Sequence, residues 1–176
     1  MIMYLNCAKK AAFYVSAMGR ISKYLDNRGL MKVFNAFIRS NFQYANIVWH
    51  FITTPSIIKM EKIQRRALRI VFNDYTSSYP VLLSKAKVTS LYVSWMKTIL
   101  IETFKTINKV NPLFLHDIFT VNGATYELRD PLRLQQPKVN STIYGLNSFK
   151  YEASRLWNNL LPHSKMHMIY IFSVQW

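Results

Sequence analysis

The sequence predicts a mainly α fold, a helical bundle of about six to seven helices with a small extended or hairpin segment near residues 121–145. Three observations predict it: apolar residues recur at helical spacing along most of the chain, glycine and proline are sparse (4 and 6 of 176 residues), and 51% apolar residues supply a core. No repeat at a solenoid period and no low-complexity tract breaks the pattern.

Residues 5–19 read as a helix with Leu5, Ala8, Ala12, Val15 and Met18 inward, closed near Gly19. Leu30, Val33, Phe34, Phe37 and Ile38 then form one apolar stripe, with Arg28, Lys32, Asn35 and Arg39 on the opposite face. Residues 42–51 read as a short helix carrying Tyr44, Val48 and Trp49 inward. Thr54 as N-cap and Pro55 in the first helical position start the best-defined helix, which meets no breaker until Asn73.

Ser78 and Pro80 start a short helix to about Ala86, and Thr89 or Ser90 caps a long one to about Lys109, ahead of Asn111-Pro112. The wide apolar arc of that long helix (Tyr92, Trp95, Met96, Ile99, Leu100, Phe104, Ile107) marks it as central. Residues 112–119 form another helical turn or two. Gly123, Pro131 and Pro137 loosen residues 121–143 into extended chain. Ser148 to Leu160 returns to helix, with Phe149, Ala153, Leu156, Trp157 and Leu160 inward. The expected division is a basic helical lobe at 1–74, a second helical lobe at 75–162 and an atypical apolar tail at 163–176.

Charge is the first functional clue. The chain carries 23 Lys and Arg against 8 Asp and Glu, a net +15. Such a field attracts polyanions: nucleic acid, an anionic membrane surface or an acidic protein. It is densest on the helix after Pro55, where Met60, Ile63, Ala67, Ile70 and Val71 take one side and Lys59, Lys62, Arg65, Arg66 and Arg69 the other. Five cations over about three turns match the spacing at which a helix meets successive phosphates. Only Glu61 and Asp74 lie near enough in sequence to offset them. These five, with Arg28, Lys32 and Arg39, are the candidate nucleic-acid-binding residues. Tyr44, Trp49 and Phe51 read as core rather than as base-stacking platforms.

The residues of common catalytic chemistries are scattered. The acidic residues Asp26, Glu61, Asp74, Glu102, Asp117, Glu127, Asp130 and Glu152 include no adjacent pair, so no metal-dependent centre is expected. His163 and His167 stand four apart without a Cys or further His nearby, and His50 and His116 stand alone. Cys7 lacks a His partner, and a single cysteine points to a reducing compartment. The four glycines form no phosphate loop. Neither a cofactor nor a metal is expected. Apolar runs are too short to span a bilayer, and Met1 to Asn6 lack a signal-peptide pattern, which leaves nucleus or cytoplasm and no membrane.

The order of several segments resembles the C-terminal portion of reverse transcriptases from LINE-type non-LTR retrotransposons, jockey-like or chicken-repeat-like. The matching residues are Lys9-Lys10-Ala11-Ala12, Arg20 to Asp26, Asn35 to Tyr44 running to Val48-Trp49, and Lys62-Ile63-Gln64-Arg65-Arg66-Ala67-Leu68-Arg69. Asn73-Asp74-Tyr75, Phe104-Lys105-Thr106 leading to Asn111-Pro112, Tyr126 with Leu128-Arg129, Tyr144-Gly145 and Trp157-Asn158 continue the series. The resemblance implies a thumb-like lobe that holds template and primer, followed by a family-specific region, and a polymerase core as partner. RNA-directed DNA synthesis in that family uses an Asp-Asp pair that this chain lacks, so no polymerase activity carries over. Two departures stand out: Tyr44-Ala45 where the family usually has Tyr-Cys, and a tail after Leu161-Pro162 that turns apolar and reads as a truncation or frame artefact. Two other functions fit the composition. One is a non-catalytic interaction module whose basic helix docks an acidic partner, and the other is a peripheral membrane binder.

Overall fold

The structure is a computed structural model, and it describes residues 2–44, 46–49, 54–121, 130, 132–141 and 145–165. Its elements are helical: α1 (Ile2–Ile21), α2 (Asn27–Val33), a π-helical segment (Phe34–Arg39), α3 (Ser40–Gln43), α4 (Asn46–Trp49), α5 (Thr54–Phe72), α6 (Tyr79–Ala86), α7 (Leu91–Ile107), a 3₁₀ turn (Leu113–Leu115) and α8 (Phe149–Asn159). No β-strand occurs among the described residues. The chain packs as two units, residues 1–95 and 96–176. The sequence places a boundary near residue 74, but α6 folds back on α5 and belongs with the first unit.

In the first unit α5 packs against α1, α2, the π-helical segment and α6. α1 buries Cys7, Ala11, Val15 and Met18, so that of the predicted stripe Val15 and Met18 face inward, whereas Ala8 is half-buried and Leu5 and Ala12 are exposed. At about 100° per residue Asn6, Lys9, Lys10, Ser16 and Arg20 gather on one side of α1, and the face through Cys7, Ala11 and Met18 lies opposite them. Nor does Gly19 end this helix, which runs on to Ile21.

Asp26 starts α2 by accepting the Gly29 N–H at 2.8 Å, the N-cap geometry that satisfies a free donor of the first turn. From Asn27 to Gln43 the chain remains helical, but Phe34–Arg39 is π-helical, with wider i→i+5 turns. That widening buries Leu30, Phe34, Ile38 and Phe42 and leaves Phe37 50% exposed, so Phe37 departs from the predicted stripe. Tyr44 closes the helix in extended backbone (ψ 124°) and is 66% exposed, which corrects its expected inward position. The side chains of Val48 and Trp49, and all of Phe51, lie outside the described residues. Phe42 remains anchored: its carbonyl accepts the indole N–H of the fully buried Trp95 at 3.0 Å.

Three helices end alike. After α5, α6 and α7, the residues Asn73, Lys87 and Lys109 adopt left-handed φ of 48°, 53° and 57°. Each is followed by an N–H that reaches back to a carbonyl five residues earlier, as in Asp74 to Arg69, Val88 to Leu83 and Val110 to Lys105. Glycine is the usual residue there, because a Cβ crowds the following carbonyl.

The second unit has its own core, formed by Ile99, Phe104, Phe119, Leu134, Ala153 and Trp157. The predicted extended segment is seen as an antiparallel bridge between Val121 and Leu134, flanked by the Gln135 N–H bonded to the Thr120 carbonyl at 2.9 Å. Residues 122–129, including Gly123, Tyr126, Glu127 and Leu128-Arg129, lie outside the described residues. Two neighbours on α8 hold this segment. Trp157 donates its indole N–H to the Leu132 carbonyl at 2.7 Å, while the Asn158 amide both accepts from the Leu134 N–H and donates to its carbonyl, each at 2.8 Å. Lys165, assigned by sequence to the tail, is fully buried. Its ammonium pairs with Asp130 and lies 5.7 Å from the centre of the Trp157 ring.

Removing the left-handed strain should be measurable: Lys87→Gly and Lys109→Gly are each expected to raise stability by about 1 kcal/mol, read as the midpoint of urea unfolding. Inside α1, an added Cβ at Gly19 meets Ile70 Cδ1 at an ordinary 3.6 Å. Gly19→Ala is therefore expected to stabilise by about 0.5–1 kcal/mol in the same assay, and a loss of stability would show that the α1–α5 contact requires glycine.

Candidate nucleic-acid interface

The site is built on α5, whose sequence separates into two faces. Ser56, Met60, Gln64, Ala67, Leu68 and Val71 are buried. At about 100° per residue they span one side of the helix, and Lys59, Lys62 and Arg66 fall opposite. Those three are exposed. Arg65 lies nearer the flank, Arg69 shares the outer side with Lys62, and both are half-buried. Arg28 and Lys32 are exposed on α2, and Arg39 is half-buried at the end of the π-helical segment; both elements pack against α5.

What decides the electrostatics of this ridge is where the nearby carboxylates go. Glu61 turns toward the start of α7, where it accepts the backbone N–H groups of Leu91 at 2.8 Å and Tyr92 at 3.3 Å, and it also accepts the Tyr79 hydroxyl. A carboxylate at a helix N-terminus satisfies free donors and meets the positive end of the helix dipole. Burial, and then the Glu61 carboxylate, push the Tyr79 hydroxyl well above its ordinary range, so the phenol stays protonated and keeps donating. Asp74 is engaged elsewhere as well. It takes an ion pair from Lys85 at 2.5 Å, the Ser77 hydroxyl at 2.6 Å and the Ser77 N–H at 3.0 Å. The Lys85 ammonium and then Ser77 hold its carboxyl well below the usual carboxylate range.

Both acidic residues that the sequence sets against the ridge are thus committed to other partners. Among the described residues, none of Lys59, Lys62, Arg65, Arg66 and Arg69 forms an ion pair. The Nε atoms of Arg65 and Arg69 are buried without a hydrogen-bond partner. An unpaired buried donor costs about 1–3 kcal/mol, and more when charged.

A second feature of the same unit is an apolar groove of about 220 Å³ lined by Tyr14, Ala17, Met18, Ile21, Val33 and Phe37. The aromatic rings of Tyr14 and Phe37 meet at 5.5 Å on its wall. Helical periodicity does not reveal this groove, because it places Phe37 in the core, whereas the π-helical turn rotates that ring outward.

The remaining sequence candidates have plain structural settings. Cys7 is buried in α1, and burial raises its thiol above the ordinary range. His116 is half-buried with its Nε2 2.5 Å from the Asn111 carbonyl. His163 is exposed, while His50 and His167 lie outside the described residues. No group of three or more His, Cys, Asp or Glu side chains suited to a metal gathers among the described residues. Likewise, no described helix is long and apolar enough to cross a membrane. Comparison with protein-family models, curated proteins and solved structures found no match.

Two outcomes follow from the carboxylates. Glu61→Ala strands two N–H groups of α7 and the Tyr79 hydroxyl, and is expected to cost about 2–3 kcal/mol in chemical unfolding; a neutral effect would mean that this cap is dispensable. The folded-state depression at Asp74 contributes stability that is present above its unfolded value near 3.8 and is lost as pH falls below it. Unfolding midpoints followed from pH 6 downward in roughly unit steps should therefore fall less steeply for Asp74→Asn than for the unaltered chain.

Proposed function

We propose that the chain is a non-catalytic, nucleic-acid-binding fragment of an RNA-directed DNA polymerase of a non-LTR retrotransposon, the thumb and post-thumb portion without the catalytic palm. One observation carries the binding half of this reading: the cationic face of α5 stands without carboxylate partners while the acidic residues beside it are used within the fold. The retrotransposon half rests on the collinear segments from Lys9 to Asn158, which resemble that family in their order.

On this reading the backbone of RNA or DNA lies along α5, with Lys59, Lys62, Arg65, Arg66 and Arg69 meeting phosphates and Arg28, Lys32 and Arg39 adding to the field. Affinity comes from counterion release, so binding is weakly sequence-dependent and strongly salt-dependent. Catalysis belongs to the polymerase core of the parent protein, with which this piece would associate. It would act inside the cell, in nucleus or cytoplasm, and needs no cofactor of its own.

The test is fluorescence anisotropy with labelled duplex DNA and single-stranded RNA across a range of salt. Log affinity should fall linearly with log salt, with a slope of about −0.9 per neutralised phosphate on duplex DNA and about −0.7 on a single strand. Replacing Lys62, Arg65, Arg66 and Arg69 together with Gln should flatten that slope by about three units. Binding that is unchanged by the quadruple replacement would remove α5 as the site.

A further inference from the structure

The apolar groove between α1 and the π-helical segment stands on a different side of α1 from α5. An added Cβ at Gly19 points at Ile70 of α5, and at about 100° per residue Tyr14 and Ile21 fall about 140° and 160° around α1 from Gly19. The groove holds about 220 Å³, below the roughly 300–1,000 Å³ of small-molecule clefts, which suits a few side chains better than a whole small ligand. Its wall is aromatic and open to water. The Phe13, Tyr14 and Phe37 rings form a continuous row with centroids 5.8 Å and 5.5 Å apart, and Phe13 and Phe37 are 63% and 50% exposed. Contiguous exposed apolar surface marks an interaction site, whereas a single exposed apolar residue does not. The edge of the groove carries charge of one sign. Lys10 falls in the row of Tyr14, Ala17 and Ile21, Arg20 falls beside Phe13, and both cations are exposed. Residues 1–44 contain Lys9, Lys10, Arg20, Lys23, Arg28, Lys32 and Arg39 against Asp26 alone. None of these cations forms an ion pair among the described residues, and the Asp26 carboxylate accepts the Gly29 N–H.

We propose that this groove receives an acidic amphipathic helix of a protein partner. Two apolar side chains one turn apart seat between α1 and the π-helical segment, and carboxylates beside them meet Lys10 and Arg20. The furrow between two packed helices is where a third helix fits, with anchors at i, i+3 or i+4 and i+7. Charge decides among occupants. A second copy of this chain would bring the same cations to the interface and be repelled, and a nucleic-acid backbone has phosphates for the edge but no aliphatic anchor for the groove. An acidic helix with an apolar stripe satisfies both wall and edge. The groove and the cationic ridge stand on different sides of α1, so loss of one surface leaves the other in place.

Three fluorescent synthetic peptides of about four helical turns, titrated with the unaltered chain, decide the point. The first has Leu at i, i+3, i+4 and i+7 with Glu on both flanks, the second has Lys in place of Glu, and the third scrambles the first so that the stripe is lost. The Glu-flanked peptide should bind about tenfold or more tightly than either of the others. Phe37→Ser should weaken it about tenfold, and Lys10→Glu with Arg20→Glu should cut the preference for Glu over Lys flanks by a similar factor. Equal binding of the Glu-flanked and scrambled peptides would overturn the groove as the seat. Equal binding of the Glu- and Lys-flanked peptides, or a preference untouched by the charge reversal, would overturn the acidic partner. A measurement on the unaltered chain guards against a variant that fails to fold. The methyl resonances of Met18, Ile21 and Val33 should move on adding the Glu-flanked peptide, while that of Ile63 on α5 stays in place. A shift confined to Ile63 would put the peptide on the cationic ridge and reject the proposal. Concentration-dependent dimerisation that moves the same three methyls without peptide would assign the groove to a second copy and likewise reject it.

Discussion

The arrangement depends on what the Glu61 carboxylate does. It points away from the cations of its own helix and into the start of α7, where it accepts two backbone N–H groups and the Tyr79 hydroxyl. One side chain thereby joins α5, α6 and the first turn of α7. The same act withdraws the only negative charge within α5. Structural cohesion and an uncompensated positive surface are two results of a single set of hydrogen bonds.

Asp74 repeats the logic at the other end of α5. The Lys85 ammonium and Ser77 occupy it, and the turn that carries it is fixed by the left-handed Asn73. A helix with five like charges along its length is under mutual repulsion, which its buried face must outweigh. Met60, Ala67, Leu68 and Val71 are all fully buried and supply that face. The cationic ridge is therefore tolerated by packing on the opposite side and is not neutralised by its neighbours.

Much of the fold was legible because helical periodicity and local stop signals agree. Ser78 and Pro80 mark α6, Asn73 marks the end of α5 and Asn111-Pro112 follows α7, each within a few residues of the observed bounds. The inward face of α1 was legible as well, because its polar residues gather opposite Cys7 and Ala11, although the apolar residues taken alone also admit a stripe through Leu5 and Ala12. Other features depend on tertiary partners. The exposure of Tyr44 and the role of Glu61 depend on neighbours distant in sequence. For the candidate interface, composition and spacing identified the cations, and the helical angle already sets Arg65 toward the flank. The unpaired Nε atoms were not legible, because the absence of an acceptor is a property of everything packed nearby.

The π-helical turn at Phe34–Arg39 has a consequence for how this surface can vary. A π turn accommodates about one more residue than an α turn, so everything beyond it is rotated relative to a regular helix. Phe37 at the groove wall and Phe42 beneath Trp95 owe their directions to that offset. Chain length within these six residues is thus as strict a determinant as side-chain identity, and losing one residue would swing the downstream side chains by roughly 100° about the axis. Its register constrains this stretch alongside the buried Phe34 and Ile38.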